Sequence, residues 1–252
     1  MKKQFLKFIA NLIPSKSMRR KFRDRFVKCK ISHIIADLEH NDIDIPRNRN
    51  IKIKVEGRNN IIKIAPSNDD IPSEINIYIH GDNNNITINS TKHLNLSLNI
   101  GYSDFRSCNN AKFFCDKDTT MNGVTCLLLE NSSEVIIGKE CMISWNIEIR
   151  CTDDHSILDF SNNVLNKAKS ITIGNHVWLC KDVLILKNTT IPDGCIVGTK
   201  SVVASKMFTK TNCGICGNPA RIVKEGIHWD RTRPDLYNSS KSVDFVGRKS
   251  DS

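Results

Sequence analysis

One histidine lies among acidic and hydroxyl side chains near the middle of the chain, in residues 152–157 (TDDHSI). Histidine titrates near neutral pH, so His155 could accept the proton of a hydroxyl group as that group attacks an electrophile. A base of this kind needs a carboxylate to orient its ring. We favour Asp153 over Asp154 for this role, although the sequence allows either, and assign Asp154 to substrate contact. The loop carboxylates could instead support a turn or face solvent. The segment is therefore predicted to carry a general base.

Aliphatic residues recur at every sixth position on both sides of this segment. The series before it is Ile137, Ile143 and Ile149, and the series after it is Ile173, Leu179, Ile185, Ile191, Val197 and Val203. A period of six fits neither a helix nor a long strand, but it suits a chain that alternates short strands with corners. Three such units make one coil, so residues 18 apart should stack, and the 24 residues from Ile149 to Ile173 keep the phase.

This repeat predicts an all-β solenoid. We place it at residues 46–207, with degenerate coils over 46–130, where strand-like alternation replaces the strict period. Regular coils follow over 131–207, interrupted by a loop at 150–170. Loops on a rigid scaffold are common positions for catalytic groups, which fits a histidine at residue 155.

The two ends of the chain differ from this body. Residues 1–30 hold eleven Lys or Arg and one acidic residue, so the whole formal charge of +10 lies there. We predict a basic, helical N-terminal arm over residues 1–45 that contacts an anionic membrane surface, or instead packs on the body or a partner chain. Residues 208–252 are predicted to form a C-terminal extension and polar tail. A neutral body without readout residues argues against nucleic-acid binding.

The ten cysteines do not suggest a metal site or a disulfide framework. Several, such as Cys141 and Cys195, occupy small-residue positions of the repeat. Cys213 and Cys216 form the only CxxC pair, and no second pair completes a zinc site. We expect structural thiols, no metal and a cytoplasmic protein, at the inner face of the membrane if the arm binds there.

Four motifs give the chain a family resemblance. Residues 173–178 (IGNHVW), followed by hexads and then residues 216–221 (CGNPAR), resemble the hexapeptide-repeat acyltransferases. Residues 144–150 (SWNIEIR) with 153–157 (DDHSI) resemble the branch that O-acetylates capsular and lipopolysaccharide sugars. The resemblance covers roughly residues 50–232. It implies a left-handed parallel β-helix, a homotrimer, and acetyl-CoA bound in the groove between neighbouring solenoids.

The resemblance also implies roles for single residues. His155 matches the catalytic histidine of the family, and Trp178 matches a tryptophan near acetyl-CoA. Because Val177 and Leu179 should point inwards, Trp178 should point outwards. Asn146 would position substrate or the thioester oxygen, unless it is only a corner residue, and Trp145 would line the acceptor groove.

Cations should line the path of the CoA phosphates. The candidates in or after the last coils are Lys200, Lys206, Arg221 and Lys224. The chain departs from its relatives at Thr199-Lys200, where small residues are common, and at Cys180, where glycine is usual. The resemblance implies an acetyl-CoA-dependent O-acetyltransferase acting on a surface polysaccharide. The alternatives are a small-molecule or xenobiotic acetyltransferase and a non-catalytic β-helix scaffold.

Overall fold

The computed structural model describes residues 33–47, 49–102 and 106–237. These residues form twenty short strands and one helical turn at 234–237. The strands are β1 (His33–Ile35), β2 (Asp42–Asp44), β3 (Asn50–Glu56), β4 (Ile61–Ile64), β5 (Glu74–His80), β6 (Asn85–Ile88), β7 (Leu94–Ile100), β8 (Lys112–Cys115), β9 (Thr120–Leu128), β10 (Glu134–Ile137), β11 (Met142–Ile143), β12 (Ile147–Arg150), β13 (Ile171–Ile173), β14 (Trp178–Leu179), β15 (Leu184–Leu186), β16 (Thr189–Ile191), β17 (Ile196–Val197), β18 (Val202–Val203), β19 (Gly214–Gly217) and β20 (Ala220–Lys224). Within these ranges, no helix has the length and apolar character that a membrane span requires.

Successive strands stack in parallel into a β-helix with three faces. In the later coils, the first face contains β11, β14, β17 and β19, and the second contains β12, β15 and β18. The third face contains β10, β13 and β16, and continues back through β8, β6, β4 and β2. In the earlier coils, the long strands β3, β5, β7 and β9 stack beneath the second face. Strand β9 also pairs with β11, so it joins the first face to the second.

The predicted 18-residue stacking is confirmed. The paired residues are Ile173 with Ile191, Leu179 with Val197, and Ile185 with Val203. All of these side chains are buried in one continuous aliphatic core. Burying such a side chain contributes about 1.5–3 kcal/mol. The repeat therefore marks the residues that hold neighbouring coils together.

The coil that contains His155 is twice the normal length. Its pairs are 36 residues apart: Ile137 with Ile173, Ile143 with Leu179, and Ile149 with Ile185. A loop equal in length to one whole coil has been inserted. Because that length is a multiple of six, the inward positions after the loop stay in phase with those before it.

Corners between strands use residues that tolerate the left-handed region. Asn146, Asp182 and Lys200 occupy the same corner of successive coils, with φ values of 57°, 61° and 60°. Asn and Asp adopt this conformation more readily than most residues. The backbone N–H of Asp182 donates to the carbonyl of Trp145, and that of Lys200 to the carbonyl of Lys181. The corners are thus stacked as regularly as the strands.

The nine described cysteines are unpaired, and seven of them are buried. This agrees with the prediction of structural thiols. Burial raises the pKa of the Cys151 thiol to about 12 and that of Cys141 to about 11, so both stay protonated near neutral pH.

The predicted helix over residues 1–45 is wrong for residues 33–45. This segment forms β1, which pairs in parallel with β3, and β2, which pairs in parallel with β4. The exposed edge of the first coil offers unpaired backbone groups, and this pairing overrides local helix propensity. Residues 1–32, which include most of the predicted arm, lie outside the described residues.

The solenoid also extends past residue 207, its predicted end. Strand β19 pairs in parallel with β17, matching Val197 with Ile215 across 18 residues. Strand β20 then turns back antiparallel to β19. Residues 238–252, which include most of the polar tail predicted from about residue 237, lie outside the described residues.

Candidate active site

The loop that interrupts the repeat leaves the second face after β12 and returns to the third face at β13. Its base is closed by a hydrogen bond from the Lys169 N–H to the Cys151 carbonyl, 3.1 Å long. Near its tip, Leu158 and Val164 form an antiparallel bridge. The loop is therefore an ordered excursion from a rigid scaffold.

His155 is held through its backbone while its ring is exposed. Its N–H donates to the Asp153 carbonyl at 2.8 Å, and its carbonyl accepts from Asn166 Nδ2 at 2.8 Å. Within the described part of the chain, no side chain hydrogen bonds to the imidazole. The ring is thus presented on a fixed backbone, free to meet a hydroxyl group.

Asp153 fastens the two sides of the loop. Its Oδ2 accepts hydrogen bonds from Lys187 Nζ at 2.5 Å and from Asn166 Nδ2 at 2.9 Å. Lys187 Nζ also donates to the Asn166 carbonyl at 2.5 Å. The hydrogen bond from Lys187, followed by that from Asn166, lowers the pKa of Asp153 below its ordinary value. The predicted contact between Asp153 and the His155 ring is not formed in this structure.

Asp154 pairs with a different cation. Its Oδ2 accepts from Arg150 Nη2 at 2.5 Å, while its Oδ1 is enclosed without a described partner. Its φ of 66° places it at a turn. The structure therefore brings neither neighbouring carboxylate to the ring of His155.

Trp178 points outwards from the first face, as predicted. Val177 and Leu179 beside it are both fully buried. The indole is covered by Trp229, whose ring centroid lies 5.9 Å away, and Trp229 stacks on His176 at 4.1 Å. The Trp178 Nε1 donor is enclosed and has no hydrogen-bond partner among the described residues. A buried donor of this kind normally has a partner, so this N–H is suited to a ligand oxygen.

Asn146 and Trp145 lie at the corner between the first and second faces. Asn146 donates from Nδ2 to Asp182 Oδ1 at 2.8 Å, so it serves as a corner residue in this structure. Trp145 is 59% exposed and takes no part in the core. The indole is accessible at this corner, and the role of Trp145 as a wall of the acceptor groove stays a prediction.

The four predicted phosphate-binding cations are exposed but are not gathered in one place. Lys200 lies at the corner between the first and second faces, and Lys206 follows β18. Arg221 and Lys224 lie on β20. None of the four has a described side-chain partner, so each is free to meet an anion.

Sequence reasoning missed the residues that order the site. Glu130 receives the hydroxyl of Thr152 and the N–H of Ala168, the latter at 3.1 Å, and so holds both ends of the loop. Lys187 holds Asp153 by a hydrogen bond, and Trp229 covers the indole of Trp178. These residues occupy no marked position of the repeat, and the only signal was their charge or aromatic ring.

Within one chain, the predicted catalytic residues lie on different parts of the β-helix. His155 belongs to the loop that leaves the second face, Trp178 lies on the first face, and Asn146 lies at the corner between them. The structure forms no contact between the His155 and Trp178 rings.

Comparisons with known proteins agree with this architecture. A polysialic acid O-acetyltransferase of Neisseria meningitidis is 34% identical over 206 residues, which cover 73% of this chain and 91% of that relative. A polysialic acid O-acetyltransferase of Escherichia coli O1:K1 is 29% identical over 140 residues, or 55% of this chain. That match spans 45% of the relative, which is less than half of its length.

A solved structure shows the same fold. The polySia-specific acetyltransferase NeuO aligns with a TM-score of 0.60 at 24% identity, covering 85% of this chain and 94% of that one. No protein-family model matches the chain. The parallel β-helix of six-residue units is the fold expected for the hexapeptide-repeat acyltransferases. The chain belongs to the family of O-acetyltransferases in this class that contains the polysialic acid O-acetyltransferases.

Proposed function

We propose that this protein transfers an acetyl group from acetyl-CoA to a hydroxyl group of a surface polysaccharide, a capsular or lipopolysaccharide sugar. The observation that carries this proposal is the exposed His155 ring on a fixed loop of an O-acetyltransferase fold. The relatives are named for acetyl transfer to polysialic acid, which is itself a polysaccharide. The left-handed winding implied by the resemblance is part of this proposal.

His155 would act as the general base for direct transfer. Its free ring nitrogen accepts the proton of the acceptor hydroxyl while that oxygen attacks the thioester carbonyl. As the carbon–sulfur bond breaks, the protonated imidazole returns the proton to the departing thiolate. The products are an O-acetyl ester and a free thiol, and the histidine is restored.

Two groups are candidates to stabilise the developing oxyanion. The enclosed N–H of Trp178 has no described partner, and Asn146 carries an amide at the neighbouring corner. Fixed donors aimed at an oxyanion commonly contribute several kcal/mol to catalysis. The exposed cations Lys200, Lys206 and Arg221, together with Lys224, would receive the phosphates of acetyl-CoA.

A homotrimer would complete this site. The tip of the loop exposes five large apolar side chains: Ile157, Leu158, Phe160, Val164 and Leu165. Such a patch on a soluble surface usually marks an interface. Docking of the loop on the next subunit would bring His155 towards the first face of that subunit, where Trp178 lies. Sedimentation of the wild type and of Phe160→Ser would test this, with dissociation of the variant expected.

The basic residues of the N-terminal arm would add peripheral contact with an anionic membrane, at the cytoplasmic side. Each Lys or Arg near such a surface contributes about 1 kcal/mol. Co-sedimentation with vesicles that contain anionic lipid should therefore fall when Arg19, Arg20 and Lys21 are replaced by Gln. Unchanged sedimentation would remove the membrane contact from the proposal.

The function is tested with purified protein, acetyl-CoA and a panel of acceptors, by measuring thiol release. We expect transfer to polysaccharides, with slower transfer to free monosaccharides and to small aromatic or amine acceptors. Preference for the small molecules would support the alternative acetyltransferase instead. Failure to bind acetyl-CoA at all would support a non-catalytic scaffold and contradict the proposal.

A further inference from the structure

A cleft of about 650 Å³ lies on the second face, across four neighbouring strands. Its lining comes from β5, β7, β9 and β12, with Asn146 at one end. The polar residues along it are Glu74, Asn76, Asn95, Ser97, Thr125 and Glu148. Amides, hydroxyls and carboxylates of this kind are the donors and acceptors that sugar hydroxyls need.

The polar side chains form a register-matched row. Asn76 pairs with Ser97, Ser97 with Thr125, and Thr125 with Glu148 on successive strands. Neighbouring strands lie roughly 4.8 Å apart, so a hydrogen-bonding group recurs at each step across the face. A chain of sugar units could therefore meet one polar group after another.

The charges of the cleft point to an uncharged ligand. No Lys or Arg is among its lining residues, whereas Glu74 and Glu148 are. Lys52 Nζ lies 3.4 Å from Glu74 Oε1, and Arg150 Nη1 lies 3.2 Å from Glu148 Oε1. Both cations that contact these carboxylates are thus already engaged, and a polyanion in the cleft would meet two carboxylates.

The cleft is also placed where an acceptor is required. Asn146 lies just before strand β12 and Glu148 lies within it, and both residues line the cleft. The same strand ends at Arg150, where the loop that carries His155 begins. An acceptor lying in the cleft would therefore lie on the strand that leads to the proposed base.

We infer that this cleft binds the acceptor glycan and selects an uncharged polysaccharide, unlike the polyanion for which the relatives are named. The inference rests on the proposed function, because it identifies the acceptor of that reaction. Asn76, Ser97, Thr125 and Glu148 are then specificity-determining residues, which hydrogen bond to sugar hydroxyls and do not touch the reacting thioester.

Gly123 offers a direct test because it lies in the lining of the cleft. A Cβ added there would lie 3.6 Å from the Asn146 nitrogen and 3.8 Å from the Trp145 Cα, which are ordinary contacts. Gly123→Leu can therefore keep the backbone while its side chain fills the cleft. Thr87→Leu, at a partly exposed position on β6 of the third face, is the matched control.

The binding experiment uses an array of purified microbial polysaccharides, sorted into neutral and acidic members, with polysialic acid among the latter. Wild type and Thr87→Leu should retain neutral members, and Gly123→Leu should bind them at least about tenfold more weakly, a loss of ~1.4 kcal/mol. The double variant Glu74→Gln/Glu148→Gln should gain binding to acidic members, because the cleft loses two negative charges and Lys52 loses its partner, while Arg150 keeps only Asp154.

Three results would overturn the inference: retention of acidic members alone by the wild type, neutral binding that survives Gly123→Leu, or no retained glycan. Thiol release measured on the same proteins distinguishes failure of the cleft assignment from failure of the proposed acetyl transfer. If the wild type transfers acetyl and Gly123→Leu leaves the acceptor KM unchanged, the cleft assignment is wrong while the proposed function stands. If the wild type binds no acetyl-CoA, the proposed function is wrong as well.

Discussion

Replacing Lys187 by Met tests how the catalytic loop is held. The Lys187 ammonium lies between Asp153 near the start of the loop and the Asn166 carbonyl near its end. Methionine keeps most of the aliphatic stem but removes both hydrogen bonds. The variant should therefore loosen the loop around His155 while leaving the aliphatic core intact.

The expected magnitude follows from the exposure of the partners. Hydrogen bonds to charged groups contribute about 1.5–3 kcal/mol, but exposed pairs contribute about 1 kcal/mol or less. The Lys187 side chain is 13% exposed and that of Asp153 is 37% exposed, so solvent screening reduces their contribution. We take ~1 kcal/mol for each of the two bonds, and the total of ~2 kcal/mol corresponds to roughly a 30-fold change in loop opening.

Amide hydrogen exchange measures this opening directly. The reporters are the amides of Leu165 and Lys169, which donate to the carbonyls of Ile157 and Cys151. Their exchange should accelerate by roughly 30-fold in Lys187→Met, with a fall in kcat and little change in the affinity for acetyl-CoA.

Lys63→Met is the matched control, since it removes an exposed ion pair with Asp42 on the third face, four strands away from the strand at which the loop ends. If amide exchange accelerates equally in both variants, or in neither, Lys187 is not the residue that holds the two sides of the loop together.

Three further predictions follow from the same contacts. Trp229→Ala should lower the free energy of unfolding by about 3 kcal/mol, measured by denaturant titration. It should also weaken acetyl-CoA binding, measured by calorimetry, because Trp178 loses the ring that covers it. An unchanged affinity for acetyl-CoA would show that Trp229 is not part of the site. The pKa of Asp153 is lowered, so its carboxylate should stay charged and keep the loop amides protected from hydrogen exchange as the pH falls to 3.8, the ordinary aspartate value. The protection should be lost only at lower pH. Loss of protection near pH 5 would contradict this. Partial burial, followed by the electrostatic interaction with Cys216, raises the pKa of the half-buried Cys180 thiol to about 11. Cys180 should therefore react slowly with a thiol reagent at neutral pH, and rapid labelling would contradict this.

The six-residue repeat was sufficient to predict most of the fold. An inward aliphatic at every sixth position is a direct requirement of short strands around a narrow core, so Ile173 and Ile191 could be paired from the sequence. The same spacing reaches Ile215, which shows that the end of the solenoid was placed too early. Residues 33–45 carry no such period. They join the sheet through backbone pairing, with Ile43 and Ile45 packed against the edge of the core.

The site was predictable in part. The break in the repeat placed His155 in a loop, and the alternation beside Leu179 predicted that Trp178 faces outwards. The partner of Asp153 could not be predicted, because Lys187 comes from another coil and lies 34 residues away. The partner of Asp154, Arg150, lies only four residues away. Side-chain pairing between coils depends on rotamers and exposure, which a one-dimensional period does not specify.

The central claim is that His155 is the base for acetyl transfer. Its most direct test is the single-turnover rate of acetyl transfer from acetyl-CoA to purified polysaccharide by the wild type and by His155→Ala. The ring is exposed and makes no described side-chain contact, so the substitution should leave folding and acetyl-CoA affinity unchanged. We predict a rate roughly 10²–10⁴-fold lower for the variant, the usual contribution of a positioned base. Equal rates for the two proteins would contradict the account.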